Sequence, residues 1–391
     1  MPHMQRREFD IVLFGATGFT GELVARYLAT RGPEDLRFAI AGRSREKLRE
    51  VRERLAALRP ELASLEMITA SVERPESLRA MAERARVIIT TVGPYVRYGE
   101  PVVRAALEAG ADYVDITGEP EFVDRVIRTY DARAREAKIR IVNCCGFDSI
   151  PHDLGAYFTV KQLPSDRPIT VEAFVRFQGQ ISGGTWHSAI GAFSELRRTR
   201  EASKPPAPTT GRKVSLVERP LRRGPYGTEW ALLMPTIDPQ VVLRSAAALE
   251  DYGPDFRYGH YLHVRTTTKL LAVTAGVGAA VALAQFGPTR RAILKWKVPG
   301  EGPSEEERAK GAFEVTFVGE AEGGPKVETR FAGGDPGYTE TAKMLAESAL
   351  CLARDAEKLP PRYGVLTPAA AMGDALLERL TAAGLVIERV S

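Results

Sequence analysis

Near its amino end the chain reads Asp10-Ile-Val-Leu-Phe-Gly-Ala-Thr-Gly-Phe-Thr-Gly21. The apolar run Ile11–Phe14 suits a strand buried on both faces, and the residues after Gly21 carry helical periodicity. Between them, three glycines recur every third residue. Gly15 permits a tight turn, Gly18 lets a phosphate approach the backbone, and Gly21 lets the helix pack close to the strand. The first N–H groups of such a helix are free and carry partial positive charge, so Gly15, Ala16, Thr17, Gly18, Phe19, Thr20 and Gly21 are the expected cradle for a pyrophosphate. A glycine pattern alone is weak evidence; on the first strand of a strand–helix array it is strong.

That array extends over the first 145 residues. Apolar runs at Asp10–Phe14, Phe38–Ala41, Met67–Ala70, Val87–Val92, Tyr113–Ile116 and Ile139–Asn143 predict strands. Helical stretches at Glu22–Thr30, Glu46–Leu58, Pro101–Ala109 and Glu121–Ala137 lie between most of them. Such alternation predicts an α/β fold, a doubly wound parallel sheet over residues 1–150 with its ligand outside the carboxyl ends of the strands. After Pro151 the alternation stops. Strands are expected at Ile169–Phe177, Glu314–Val318 and Val327–Phe331, the last two joined by a turn at Gly323-Gly-Pro325, and the prolines 205, 206 and 208 mark an exposed loop. Residues 151–336 therefore read as an inserted α+β substrate domain. Helices at Tyr338–Ala353 and Ala369–Ala382 in 337–391 are expected to pack back on the first domain.

The end of the second predicted strand selects the dinucleotide. An NAD site places a carboxylate there, but this chain has Ala41-Gly-Arg-Ser44. The Arg43 fork and the Ser44 hydroxyl suit a 2′-phosphate, so NADPH is the expected cofactor. Ser44 also fits a helix cap. The fourth strand, ending at Thr91, opens into Val92-Gly-Pro-Tyr-Val-Arg-Tyr-Gly99, a loop at the same sheet edge, and Thr91, Val92, Gly93 and Pro94 are expected to meet the cofactor. Tyr95 and Tyr98 are proton donors or simple walls. At the domain junction, Asp148, Ser149, His152 and Asp153 gather acids and donors, though Ser149 and Asp153 equally fit the start of a helix. Tyr95, Asp148 and His152 are the catalytic candidates. Cys145 has no base beside it and reads as a buried thiol. The five histidines show no ligand spacing, so no metal is expected.

Composition narrows the class further. Lys plus Arg number 54 against 50 acids, a formal charge of +4 spread along the chain, which argues against nucleic acid. Three cysteines, two of them adjacent, fit a reducing cytoplasm, and the polar start Met-Pro-His-Met-Gln predicts no secretory signal. One segment stands apart. Leu270–Thr289 has no charged residue and lies between Lys269 and Arg290, Arg291, Lys295 and Lys297. Its Gly276, Gly278 and Ala282 predict a buried, closely packed helix. A surface touching lipid, or the wall of a channel for an apolar substrate, is the alternative, and spanning is not expected.

With these residues assembled, the chain resembles the saccharopine dehydrogenase-like oxidoreductases, and within them the bacterial trans-acting enoyl reductases. The resemblance rests on Phe14-Gly-Ala-Thr-Gly-Phe-Thr-Gly21, Ala41–Ser44, Thr91–Tyr95, Tyr98-Gly-Glu-Pro101, Thr117-Gly-Glu-Pro120 and Cys145-Gly-Phe-Asp-Ser149. It continues in Ser182-Gly-Gly-Thr185, Gly334-Asp-Pro-Gly-Tyr338 and the run Gly364–Asp374. It implies a Rossmann domain, an inserted substrate domain, NADP(H), and reduction of a C=C bond in an acyl or polyketide chain held by an acyl carrier protein or synthase. Imine reduction, as in saccharopine reductases, is the alternative. It would require arginines such as Arg197, Arg198, Arg200, Arg222 and Arg223 to grip carboxylates. A non-catalytic NADP-binding scaffold at lipid surfaces is the third reading. Ser71 stands where many relatives have an Asp near the adenine. Besides substrate, the expected partners are a peripheral membrane contact through 270–289 and a second copy in a homodimer.

Overall fold

The protein is described by a computed structural model covering residues 7–179, 190, 211–217, 219–234, 236–294 and 302–391. The Ser182–Thr185 motif, Arg197, Arg198, Arg200, the prolines 205, 206 and 208, and Lys295 and Lys297 lie outside the described residues.

Six strands of the first domain, β1 (Phe9–Phe14), β2 (Phe38–Gly42), β3 (Met67–Thr69), β4 (Ala85–Thr90), β5 (Asp112–Asp115) and β6 (Arg140–Val142), all run parallel. Five helices follow them in turn: α1 (Phe19–Arg31), α2 (Arg45–Leu58), α3 (Pro75–Glu83), α4 (Tyr95–Ala109) and α5 (Pro120–Glu136). Helices on both faces explain the unbroken apolar strands. Every residue of β2 is buried, and α2 turns Leu48, Val51 and Leu55 toward the sheet at helical spacing. Strand order reverses at β1, which lies between β2 and β4. The crevice beyond the carboxyl ends of β1 and β4 is therefore the ligand position for such a sheet.

The chain then enters α6 (Ile150–Val160) and a second, mixed sheet. This sheet contains β7 (Ile169–Gln178), β8 (Lys213–Leu216), β9 (Leu221–Arg223), β10 (Trp230–Leu233), β11 (Asp255–Val264), β12 (Ala312–Ala321) and β13 (Lys326–Gly333). Ile169, Val171, Ala173 and Val175 alternate along β7 into one core with α6 and with α7 (Asp238–Ala248). The missing side chain of Gly155 on α6 makes room for the Phe317 ring, since a Cβ there would stand 2.3 Å from it. After β11 come α8 (Thr267–Gln285), α9 (Gly287–Leu294) and α10 (Glu305–Ala309).

The carboxy-terminal stretch serves both sheets. Its first helix, α11 (Thr339–Arg354), packs on α1 and on β1, β4 and β5. Next, β14 (Gly364–Leu366) adds a seventh parallel strand beside β6. After α12 (Pro368–Ala382), β15 (Val386–Arg389) pairs antiparallel with β13 in the second sheet. Residues 337–391 thus do more than return to the first domain. The reason is that β13 leaves an edge open, and the exposed Val386–Arg389 segment closes it.

Two sequence expectations are corrected here. Tyr95–Gly99 is not loop. It forms the first turn and a half of α4, because the Glu119 carboxylate accepts hydrogen bonds from the N–H groups of Tyr95 (3.0 Å) and Val96 (2.7 Å) and caps the helix. Nor is the apolar 270–289 segment a buried core helix. Of α8, only Leu270 and Ala284 are buried, and a Cβ on Gly276 or Gly278 would meet nothing within 4 Å. Leu271 and Phe286 are 66% and 67% exposed. Burying such a side chain is worth about 1.5–3 kcal/mol, which this arrangement leaves unrealised at each.

Candidate functional site

The glycine turn has the conformation its sequence requires. Gly15 has φ +97°, a left-handed value open to glycine, and its N–H donates to the Ala41 carbonyl at 2.9 Å. Gly18 donates to the Gly15 carbonyl at 3.0 Å and then serves as the N-cap of α1 without a side-chain cap. Among the described residues, the N–H groups of Phe19, Thr20 and Gly21 have no backbone acceptor, while Glu22 already bonds back to Gly18. Free donors, a helix amino terminus and the open space beside Gly18 together fit a pyrophosphate. Ala16 is buried beneath this turn, and Thr17 lies against Gly42. The Phe19 ring packs edge-on to Tyr338 at 4.9 Å, and the Arg308 guanidinium lies over it, 5.4 Å from its centroid.

Arg43 is exposed just past β2 and makes no ion pair among the described residues, which leaves its fork free for a phosphate. Ser44 caps α2, its Oγ accepting from the Lys47 N–H at 3.3 Å. Ser71, beyond β3, is buried and receives a hydrogen bond from Glu73 at 3.3 Å. At the end of β4, the Thr91 hydroxyl donates to the Gly15 carbonyl at 3.1 Å and braces the turn. Val92 is half-buried and Gly93 and Pro94 are exposed at the crevice.

Tyr95 is turned inward. Its ring is buried, its hydroxyl donates to the Thr90 carbonyl at 3.1 Å and accepts from the Ile116 N–H at 3.4 Å. Burial and the nearby Asp115 push its phenol well above the usual range. This geometry makes Tyr95 a brace between β4, β5 and α4. Asp115 is likewise structural, accepting from the Tyr113 hydroxyl (2.8 Å), the Asn143 amide (2.7 Å) and the Cys144 N–H (3.0 Å). Both thiols of Cys144 and Cys145 are buried and pushed up by that burial.

The junction after β6 brings the remaining candidates together. Asp148 is partly exposed and stands over the end of β5, where a Cβ on Gly118 would lie 2.9 Å from its Oδ2. Burial, reinforced by the Asp238 charge, raises its carboxyl to about 7. His152, one turn into α6, holds the Asp148 carbonyl through Nδ1 at 2.9 Å and lies 3.3 Å from Asp238 Oδ1. Both partners of Nδ1 are acceptors, so that nitrogen carries the proton.

Asp238 and His260 were not legible as site residues. Asp238, buried at the start of α7, sits between His152 and His260 Nε2 (3.3 Å) and also accepts from Ser149 (3.4 Å) and Thr236. Burial alone would raise its carboxyl, but the charge and hydrogen bonds of His152 and His260 outweigh it and hold the group well below its ordinary value. The two imidazoles meet edge to face at 4.7 Å. An acid opening the apolar helix Asp238-Pro-Gln-Val-Val-Leu243 is the signal that could have found it. Asp153 belongs elsewhere: it accepts from the Ala369 N–H at 2.8 Å and caps α12, with burial raising it to about 7.

Comparison with known proteins agrees with this geometry. Residues 11–142 match the saccharopine dehydrogenase NADP binding domain. The chain is 41% identical, over 98% of its own length and 97% of the relative's, to a Mycobacterium tuberculosis protein named provisionally as a trans-acting enoyl reductase. It is 36% identical over 98% of both chains to the trans-acting enoyl reductase of Mycobacterium leprae. In fold it matches apo saccharopine dehydrogenase (L-Glu forming) from Saccharomyces cerevisiae, with a TM-score of 0.55 at 13% identity over 97% of this chain and 99% of that one. The chain is an NADP-dependent oxidoreductase and belongs to the saccharopine dehydrogenase-like family, in its trans-acting enoyl reductase branch.

Proposed function

We propose that this protein reduces the conjugated C=C bond of an acyl or polyketide thioester, with Asp148 as the proton donor. The observation that carries the reading is the placement of Asp148, a half-open carboxyl raised to about 7 at the end of β5, two strands from the glycine turn of β1. Strands lie about 4.8 Å apart, so the acid stands roughly 10 Å along the sheet edge from the pyrophosphate cradle, within the reach of a ribose and a nicotinamide ring. When bound, NADPH supplies the hydride that reduces Cβ and leaves as NADP+.

The chain's own residues do the rest. Asp148 holds a proton near neutral pH and delivers it to Cα, and solvent restores it. His152 fixes the Asp148 backbone through Nδ1 and is a positioning residue, since its Nε2 is buried without a partner among the described residues. Asp238 in turn holds His152. The apolar walls at the junction are Phe147 and Phe313, stacked edge-on at 4.9 Å. The imine alternative needs free guanidinium groups for carboxylates. Among the described residues, Arg222 is bound to Glu172 and Arg223 lies 4.0 Å over Trp230, both on the far strand of the second sheet. Arg244 on α7 donates to the Val365 carbonyl instead. The relatives' name further supports a substrate presented by a separate synthase or carrier protein, and three buried free cysteines fit a reducing cytoplasm.

The test is turnover of crotonyl-pantetheine by purified protein, followed as NADPH loss and butyryl thioester gain. Reduction by wild type and loss in Asp148→Asn support the reading. Turnover confined to amino-acid imines, or NADPH binding without turnover of either class, overturns it.

A further inference from the structure

Among the described residues, the helix pair α8–α9 leaves the second sheet domain with almost nothing packed against it. Only Leu270 and Ala284 of α8 are buried, and the Trp230 indole anchors its start by donating to Thr267 at 3.0 Å. Beyond that anchor, Leu271, Val277, Leu283 and Phe286 are all exposed. Among the described residues this is the one helix long and apolar enough to cross a membrane. Single exposed apolar side chains need no explanation, but Leu271, Val277 and Leu283, six residues apart, face different sides of the helix, and a helix apolar all round yet uncovered marks an interaction surface.

We infer that α8 and α9 form a docking surface for an anionic lipid bilayer, which the helix enters from one side without crossing. The sheet excludes a span. β11, before α8, and β12, after α9, both pair with β7, so the chain leaves and re-enters the same sheet. A crossing would need a second apolar helix to return, and residues 286–311 instead carry Arg290, Arg291, Lys295, Lys297, Glu301, Glu305, Glu306, Glu307, Arg308 and Lys310.

Charge selects lipid over a second copy of the chain. From Phe256 to Gly300 there is no Asp or Glu, while Arg265 and Lys269 stand before the apolar run and Arg290 and Arg291 just after Phe286. In a symmetric dimer through this helix, each copy would offer the other the same cations with no carboxylate from the segment to answer them. A membrane of anionic headgroups over hydrocarbon complements both parts, the apolar residues entering the acyl boundary and the cations meeting phosphates. This surface is independent of the reaction proposed above.

The experiment is flotation of the full-length protein with phosphatidylcholine vesicles, with and without phosphatidylglycerol, at low and high salt. Binding to anionic vesicles that weakens at high salt is expected. Phe286→Asp should lower it at least tenfold, and Arg290→Glu by about fivefold or more, the scale of one cation near an anionic surface. NADPH affinity, read in parallel, shows that each variant is folded. No flotation, equal flotation with neutral vesicles, or unchanged binding by Phe286→Asp overturns the inference. So does light scattering that shows a lipid-free dimer converted to monomer by Phe286→Asp, which assigns the surface to a second copy.

Discussion

A Cβ on Gly21 would stand 2.1 Å from the carbonyl oxygen of Gly15. One on Gly18 would meet the same oxygen at 3.5 Å, an ordinary contact. The two glycines therefore fail differently. Gly21→Ala should destabilise the fold by on the order of 3 kcal/mol, because α1 must back away from the turn. Gly18→Val should keep its thermal midpoint and lose NADPH binding, since its side chain fills the space where phosphate approaches. Calorimetric titration beside a melting curve separates them, and native NADPH affinity in Gly18→Val would dismiss the cradle.

Arg43 is exposed and uncommitted, so its contribution should appear only with the 2′-phosphate. Arg43→Ala should weaken NADPH by about 1.5–3 kcal/mol, the range for a charged hydrogen bond, and leave NADH nearly unchanged. Equal losses for the two dinucleotides would show that the guanidinium does not face that phosphate.

Tyr95 and Asp148 should separate in kinetics. Tyr95→Phe leaves the Thr90 carbonyl without its donor, a loss of about 1–3 kcal/mol in stability, with kcat close to wild type. Asp148→Asn should lower kcat by about 10²–10⁴-fold with NADPH affinity kept. A Tyr95→Phe enzyme that binds NADPH but does not turn over would restore the phenol as the acid.

Asp148 also sets a pH dependence with a defined sign. Its carboxyl is raised in the folded protein from an ordinary value of 3.8 to about 7, so the folded state favours the protonated form. The stability this lends is complete below pH 3.8 and is lost as pH rises through about 7. Asp148→Asn lacks the effect. The difference in urea midpoint between variant and wild type should therefore move in the variant's favour from pH 4 to pH 8. A pH-independent difference would mean that Asp148 is ionised throughout.

Strands β1 to β6 were legible because each centres on a short apolar run buried on both faces, whereas β14, only three residues long, was not. β8, β9 and β10 were not legible. They are three or four residues long and partly exposed, and neither Leu221-Arg-Arg223 nor the all-apolar Trp230-Ala-Leu-Leu233 shows a period-two pattern. The start of α4 was displaced for a different reason. Pro101 reads as a first helical residue, yet the cap comes from Glu119, a residue beyond the next strand. Asp148 and His152 stood out as a local cluster, whereas Asp238 joins them only through tertiary contact. The exposure of α8 was hidden because an all-apolar helix signals burial, and composition carries no information on whether a neighbour exists to cover it.

The late position of β14 and β15 bears on how the protein is made. A ribosome releases the glycine turn well before these two strands, so the cofactor domain emerges with the outer edge of β6 bare and the second sheet with β13 unpaired. Both edges close only once residues 364–389 have been made. A premature stop after α11 would leave two open sheet edges on a chain that already contains its whole dinucleotide cradle, and such a fragment should be recovered as aggregate rather than as a smaller, NADPH-binding protein.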